Sequence, residues 1–423
     1  MSLLRKFTTR LLHLKSMKVV DVWFSNRYKD LHLLVKPYKN GCLCPKCGRR
    51  GRMIKGAKKE RAWRDIPLGF VRVFFHYAPR EIKCRIHGRI QEDVPWAAPY
   101  SRETYRFEYL LVKYCCDMSQ KKAAEQLKIP KSTVSDILHR LIKRGRQGHK
   151  IRSLRVIGVD EISYMKGRKY ATVVYDLDRA KVVWVGKGKG RSTIESFFLE
   201  ELSEYQRSNI RYATCDMSRA YVGAIKDYCP NATLVLDRFH IVKALNEAVD
   251  EVRKEQWRKV EKDERKVLKG LRWLLYRHSS TRTKKDTRIL NSLRRSNRRI
   301  YRAWVLKDEF EQFWNYKAPW AAERFMKRWT TTALRSRLEP LQKFAKMIRK
   351  YKDNILTFVK TRLTNAVSEG INRIIRMIKN RASGFHSLDA FSDMIYLVVG
   401  NVNIAEQIPV NICTAYGGHN ALY

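Results

Sequence analysis

Apolar and polar positions follow different rhythms along the 423-residue chain. Residues 41–100 hold short strand-like runs, such as Phe70-Val71-Arg72-Val73-Phe74-Phe75, among cysteines and glycines. Residues 101–148 take the helical spacing instead. Between 153 and 245, brief apolar stretches at 155–160, 170–176, 182–185, 211–216 and 234–237 predict strands. Helices are predicted near 193–205 and 219–228, and again after Asp237. Three adjacent strands followed by alternating helices and strands imply an α/β sheet of mixed strand direction. Residues 246–355 are helix-forming throughout, which predicts an all-helical insertion, and a helix over about 363–381 precedes a last apolar run at 394–399.

Composition changes this picture in one respect. With 88 Lys and Arg against 41 Asp and Glu, the net charge is +47, and a compact chain so charged calls for a polyanionic partner. The helical stretch 246–355 shares the bias, with 31 basic residues against 14 acidic. No run approaches the ~18 apolar residues of a spanning helix, so no membrane partner is expected. Nine cysteines, an odd number spread thinly, do not form the framework of a small secreted domain and point to a reducing cytoplasm. Arg5, Lys6, Arg10, Lys15 and Lys18 form a basic arm leading into the fold.

Two motifs carry binding chemistry. Cys44-Pro-Lys-Cys47-Gly and Cys84-Arg-Ile-His87-Gly are pairs of soft ligands, each followed by the glycine that a tight turn requires. A single structural Zn2+ held by Cys44, Cys47, Cys84 and His87 is the natural reading, with Cys42 as an alternative to Cys44. Ser119 opens a short helix that ends at Leu127, and after Lys128-Ile129-Pro130 a second helix begins at Lys131. That spacing predicts a helix-turn-helix packed through Ala123, Ala124, Leu127, Ile129, Val134, Ile137 and Leu138. Lys131, Ser132, Thr133, Ser135 and Arg140 are then candidates for contact with a DNA groove.

Three predicted strands end in an acid: Asp160, Asp216 and Asp237. A buried carboxylate is costly unless its charge is compensated, and metal is one compensation. In an RNase H-like sheet the first and fourth strands are neighbours, which would bring Asp160 and Asp216 together. Glu369, on the late helix, is the best-placed third acid, and the three would hold two Mg2+ (or Mn2+) ions for phosphodiester chemistry. Asp237 is either a further member of this site or the cap of the next helix, with His240 beside it. Glu161 points to the opposite face by strand alternation. Asn365, Asn372 and Arg376 share a helical face with Glu369 and are expected to support it.

These stretches resemble the ISL-three group of insertion-sequence transposases across nearly the whole chain. The matching residues are CPKCG, CRIHG, Val94-Pro-Trp-Ala97 followed by Ser101-Arg102, the helix-turn-helix, Gly158-Val-Asp-Glu161, Cys215-Asp-Met-Ser218, Leu236-Asp-Arg-Phe-His240, and Asn365–Gly370 continuing through Ile378-Lys-Asn-Arg381 to Gly384-Phe385. The resemblance implies a DDE transposase of multidomain α+β class, with Asp160, Asp216 and Glu369 as its triad and the Cys and His set as its zinc site. His87 stands where many relatives carry cysteine. The implied organisation is an N-terminal region over 1–100 with a zinc-binding domain at about 41–97, and a helix-turn-helix domain over 101–150. An RNase H-like core follows over 153–245 and 356–405, interrupted by the basic helical insertion at 246–355, with a tail at 406–423. Expected partners are double-stranded DNA, as terminal inverted repeats and target, and a second copy of the chain in a dimer or higher oligomer. The rival classes are a catalytically inactive DNA-binding regulator and a structural RNA-binding protein. Trp273, Trp304, Trp314, Trp320 and Trp329 are expected to pack in the core of the insertion rather than stack on unpaired bases.

Overall fold

The structure, a computed structural model, describes residues 5–6, 8–9, 17–38, 42–54, 59–147, 151, 153–165, 167, 169–363, 366–400 and 402. Asn365 and the tail at 406–423 lie outside the described residues.

The N-terminal region is built on a four-stranded sheet of order β1-β2-β5-β4, from β1 (Met17–Ser25), β2 (Asp30–Pro37), β4 (Arg61–Leu68) and β5 (Val71–Tyr77). Alternation puts Leu31, Leu33, Val35, Trp63, Val73, Phe75 and Tyr77 on its buried face, closed by Trp96. A small second sheet joins β3 (Arg52–Met53), β6 (Glu81–Cys84) and β7 (Gly88–Gln91). The expected strand at Phe70–Phe75 therefore exists, but it pairs with β2, and through β2 joins β1, both of which precede the paired cysteines. The boundary drawn at 41 runs between strands of one sheet, because hydrogen-bond partners are chosen in space and not along the chain.

Three helices follow: α1 (Tyr105–Asp117), α2 (Gln120–Leu127) and α3 (Lys131–Gln147). Thr104 and Ser119 cap the first two by accepting from Phe107 N and Lys122 N. Lys128 ends α2 in the left-handed region at φ 52°, which turns the chain into α3.

The second large sheet has order β10-β9-β8-β11-β12, from β8 (Val156–Met165), β9 (Lys169–Asp176), β10 (Lys181–Lys187), β11 (Tyr212–Cys215) and β12 (Thr233–Leu236). β8, β9 and β10 pair antiparallel, whereas β11 is parallel to both β8 and β12. The expected mixed sheet is thus found. Helices α4 (Arg191–Ser196), α5 (Glu204–Ser208) and α6 (Arg219–Tyr228) connect its later strands.

From β12 to residue 361 the described chain is helical: α7 (Arg238–Trp257), α8 (Lys262–Tyr276), α9 (Lys284–Ser296), α10 (Arg298–Glu311), α11 (Pro319–Arg335), α12 (Glu339–Lys350) and α13 (Lys352–Thr361), with short 3-10 turns. One continuous core joins these helices to one face of the sheet through residues such as Val159, Ala213, Leu236, Ile241, Phe310 and Trp329. The other face, with Ala171, Val173 and Tyr175, is covered by α14 (Ala366–Arg381), α15 (Leu388–Val399) and the three helices α1 to α3. Of the five tryptophans of the insertion expected to pack, Trp304, Trp314 and Trp329 are buried, while Trp273 and Trp320 are exposed.

Candidate active site

Strand register decides which acids meet. Cys215 is partnered by Val159 on β8 and by Leu236 on β12, so the residues that follow, Asp160, Asp216 and Asp237, form one row across three parallel strands. Neighbouring strands lie about 4.8 Å apart, so the charges are felt mutually. The buried Cys215 thiol registers them: burial raises its pKa most, then the charges of Asp216, Asp237 and Asp160 in turn. Burial likewise pushes Asp160 up. The Glu161 N–H, His240 and the Asn372 amide oppose that rise, and Asp216 adds to it.

Each acid has a local anchor. Asp160 Oδ1 accepts from Glu161 N at 2.7 Å, and Asp216 Oδ1 from Ser218 N at 2.9 Å. Asp237 accepts from Phe239 N at 2.9 Å as the cap of α7, with His240 Nε2 at 3.6 Å, so it both caps and stands in the row. The Glu161 side chain approaches Lys189 at 4.0 Å instead, on the far face with Thr172 and Tyr221.

Helix α14 closes the site because Gly158, two residues before Asp160, has no side chain. A Cβ there would lie 2.8 Å from Ser368 Oγ. One turn beyond Ser368, Asn372 Nδ2 donates to Asp160 Oδ2 at 2.7 Å, and the buried Tyr175 hydroxyl donates to Asn372 Oδ1 at 2.5 Å. Asn372, expected to support Glu369, bonds Asp160 instead. Gly158, Ser368 and Tyr175 were missed, since nothing along the chain marks their close approach. Arg376 is exposed, and its Nε donates to the Asn372 carbonyl at 3.3 Å.

Glu369 is exposed on the first turn of α14 and lines a cavity of about 340 Å³ with Thr214, Asp237, Phe239 and Leu363. Asp160 and Asp216 do not line that cavity. Among the described residues the sole group of three or more such donors within 4.8 Å of each other is Cys44, Cys47, Cys84 and His87.

That Cys and His cluster fits a tetrahedral metal. Cys47 Sγ is 3.7 Å from Cys84 Sγ, and His87 Nδ1 is 3.6 Å from Cys44 Sγ and 3.8 Å from Cys84 Sγ. A tetrahedron with ~2.3 Å metal–sulfur bonds has edges of about 3.8 Å. Gly48 and Gly88 both take positive φ, 70° and 65°, where the turns need them. The N–H groups of His87 and Ile86 lower the Cys84 thiol to about 6, which favours the ligating thiolate. Cys42 is excluded by its own partner: it donates to Glu92 at 3.2 Å, and burial pushes its thiol to about 11.

In the helix-turn-helix, Ala123, Ala124, Leu127, Val134, Ile137 and Leu138 are buried and Ile129 partly so. Lys131 and Ser132 are exposed at the start of α3. Ser135 donates to Gln120 Oε1 at 2.9 Å, tying α3 to α2, and Arg140 is ion-paired to the buried Glu108. Arg140, expected to contact DNA, is thus held by α1, a partner that the spacing of α3 does not show.

A family model described as "Transposase" matches residues 157–395, which contain the acid row and α14. A second, described as "Helix-turn-helix domain of transposase family ISL3", matches residues 92–142. The chain belongs to the ISL3 family of DDE transposases. Among its relatives, the transposase for insertion sequence element IS1001 of Bordetella parapertussis is 29% identical over 373 residues, 87% of this chain and 91% of that protein. The transposase for insertion sequence element IS1557 of Mycobacterium tuberculosis is 26% identical over 380 residues, 84% of this chain and 85% of that protein. The family adds DNA binding and divalent-metal use to what the geometry of this transposase provides. No helix of the described residues is long and apolar enough to cross a membrane.

Proposed function

We propose that this transposase cuts and joins DNA at an RNase H-like core, formed by residues 153–245 and 356–405, with the basic helices of 246–355 as an insertion. The observation that carries the reading is the parallel register of β8 and β11, which sets Asp160 beside Asp216 on the face covered by α14. Asp160, Asp216 and Glu369 would hold two Mg2+ or Mn2+ ions, and their hard oxygen donors suit such cations. When bound, these ions activate an attacking water or 3′-hydroxyl and stabilise the departing oxygen of an in-line displacement.

The chain's own residues prepare that site. Asn372, itself held by Tyr175, fixes one Asp160 oxygen, and the Glu161 N–H fixes the other. Burial raises the free energy of the ionised Asp160, so a cation there relieves an existing cost. Glu369 stands at the rim of an open cavity, where a DNA strand can reach it. Zn2+ on Cys44, Cys47, Cys84 and His87 leaves no open position and so serves structure. Lys131, Ser132 and Thr133 would contact a terminal inverted repeat, and the basic helices the flanking and target duplex. Coordinated cutting of two ends calls for at least a dimer, acting on nucleoid DNA in the cytoplasm.

The test is nicking of an inverted-repeat duplex in the presence of Mg2+ by the parent chain and by Asp160→Asn. The parent should cut and the variant should not. Equal cutting by both would remove Asp160 from the mechanism.

A further inference from the structure

The outer face of the N-terminal sheet carries a row of rings. Cross-strand partners Trp23, His32, Phe74 and Arg64 run in one line over β1, β2, β5 and β4. Trp23 stacks on His32 at 5.2 Å and 10°, and His32 on Phe74 at 5.3 Å and 15°. Guanidinium groups close the Phe74 end, with Arg64 and Arg72 at 5.6 and 5.9 Å from the ring centroid. Arg64 also donates to the Leu127 carbonyl at the end of α2 at 2.8 Å, so this end of the ladder abuts the helix-turn-helix.

At the other end Trp23 lies on the edge strand and is 37% exposed, and among the described residues the aromatic rings beside it are His32 and His76. Hydrogen bonds hold the rings in place: Ser25 Oγ to His32 Nε2 at 2.7 Å, His32 Nδ1 to His76 Nε2 at 2.8 Å, and His76 Nδ1 to Glu60 at 2.9 Å. Such preorganisation lowers the ordering cost of any ligand that extends the stack.

Charge along the edge selects the ligand. Lys18 and Lys36 are direct cross-strand partners on the outer face, an arrangement that repels unless an anion sits between them. They lie four residues, about 13 Å, from the Trp23–His32 pair. Beyond the other end of β1, Arg27 and Lys29 are exposed in a turn where Asn26, Arg27 and Tyr28 all adopt positive φ. Asp21, between Lys18 and Trp23, is ion-paired to Arg5, so an exposed ring between two cationic sites fits a short single strand, with one base on the ring and the phosphates of neighbouring nucleotides at the cations.

We propose that an unpaired base of single-stranded DNA stacks on the exposed face of Trp23, extending the ladder by one ring beside the helix-turn-helix. The inference takes DNA as partner from the function proposed above but does not use the carboxylate site. Opening of a duplex end at a cut exposes such bases.

The full chain is titrated at fixed ionic strength with a labelled oligothymidylate and with a blunt duplex of equal length, because salt alone shifts either affinity. Trp23→Ala should weaken the oligothymidylate roughly 5- to 100-fold and the duplex less than about twofold, and Trp23→Phe should restore most of the loss. An unchanged oligothymidylate affinity, or an equal loss for the duplex, overturns the proposal. Tighter and equally Trp23-dependent binding of oligouridylate would assign the face to RNA and also overturn it. Should Trp23→Ala not fold, a photo-crosslink from iodouracil-substituted DNA must map to Trp23 in the parent chain; a crosslink elsewhere refutes the placement. None of these outcomes depends on whether Asp160→Asn cuts.

Discussion

Gly158→Ala probes how the second large sheet and α14 assemble the site. The new Cβ would stand 2.8 Å from Ser368 Oγ, 3.1 Å from Leu177 and 3.3 Å from Thr214, about 0.6 Å inside an ordinary contact with Ser368. Ser368 is buried and cannot swing into solvent, so α14 must shift, at an overpacking cost of about 1–3 kcal/mol. The bonds at 2.7 and 2.5 Å through Asn372 to Asp160 and Tyr175 have little slack, and Glu369 travels with the same helix. A misplacement of order 1 Å can cost about 10²-fold in rate, so nicking should fall roughly 10- to 100-fold. The structure also names the remedy. Ser368 Oγ has no hydrogen-bond partner among the described residues, so Ser368→Ala alone should be neutral or stabilising. In the double variant it removes the closest clash, and urea unfolding should show a favourable coupling of about 1–2 kcal/mol with partial return of nicking. Full activity and stability in Gly158→Ala, or no coupling to Ser368→Ala, would refute the close approach of α14.

Three further outcomes follow from buried charge and ligand geometry. Burial holds the folded-state pKa of Asp160 above its unfolded value, so stability is lost as pH rises between the two and remains lost at neutral pH. With metal chelated, Asp160→Asn should therefore be more stable than the parent by about 0.5–2 kcal/mol at pH 7 and equal to it in strong acid; a lower melting temperature at pH 7 contradicts this. Arg140→Ala strands Glu108, whose side chain is fully buried, and should cost about 3 kcal/mol in chemical denaturation. Burial already raises Glu108, so protonation at low pH should shrink that loss, while Lys131→Ala should leave stability intact and reduce the salt dependence of DNA binding. Metal analysis of the purified chain should find one zinc that is lost in Cys84→Ser but kept in Cys42→Ser and His87→Cys; zinc loss in Cys42→Ser would return Cys42 to the ligand set.

Much of this was legible in the chain because the signals are local. Paired ligands followed by glycine state a metal turn within five residues. A capping serine, the short Lys128-Ile129-Pro130 link and apolar spacing state a helix-turn-helix within thirty. The alternation of strands and helices at 153–245 sufficed to predict a mixed sheet, whereas Asn372, expected to support Glu369, is found bonded to Asp160.

What tertiary structure alone decided is which distant groups become partners. Arg140 looks like a DNA contact on its helix and becomes the counter-ion of Glu108 once α1 packs against it. Residues 17–37 and 61–77 share one sheet although the Cys44 and Cys47 pair intervenes, and only that pairing lines up Trp23, His32, Phe74 and Arg64. The approach of α14 to Gly158 is likewise invisible along the chain, since an absent side chain records no neighbour. Local sequence dictates which backbone and charges are present, whereas close packing of side chains far apart in sequence dictates which charges are neutralised and which remain to act.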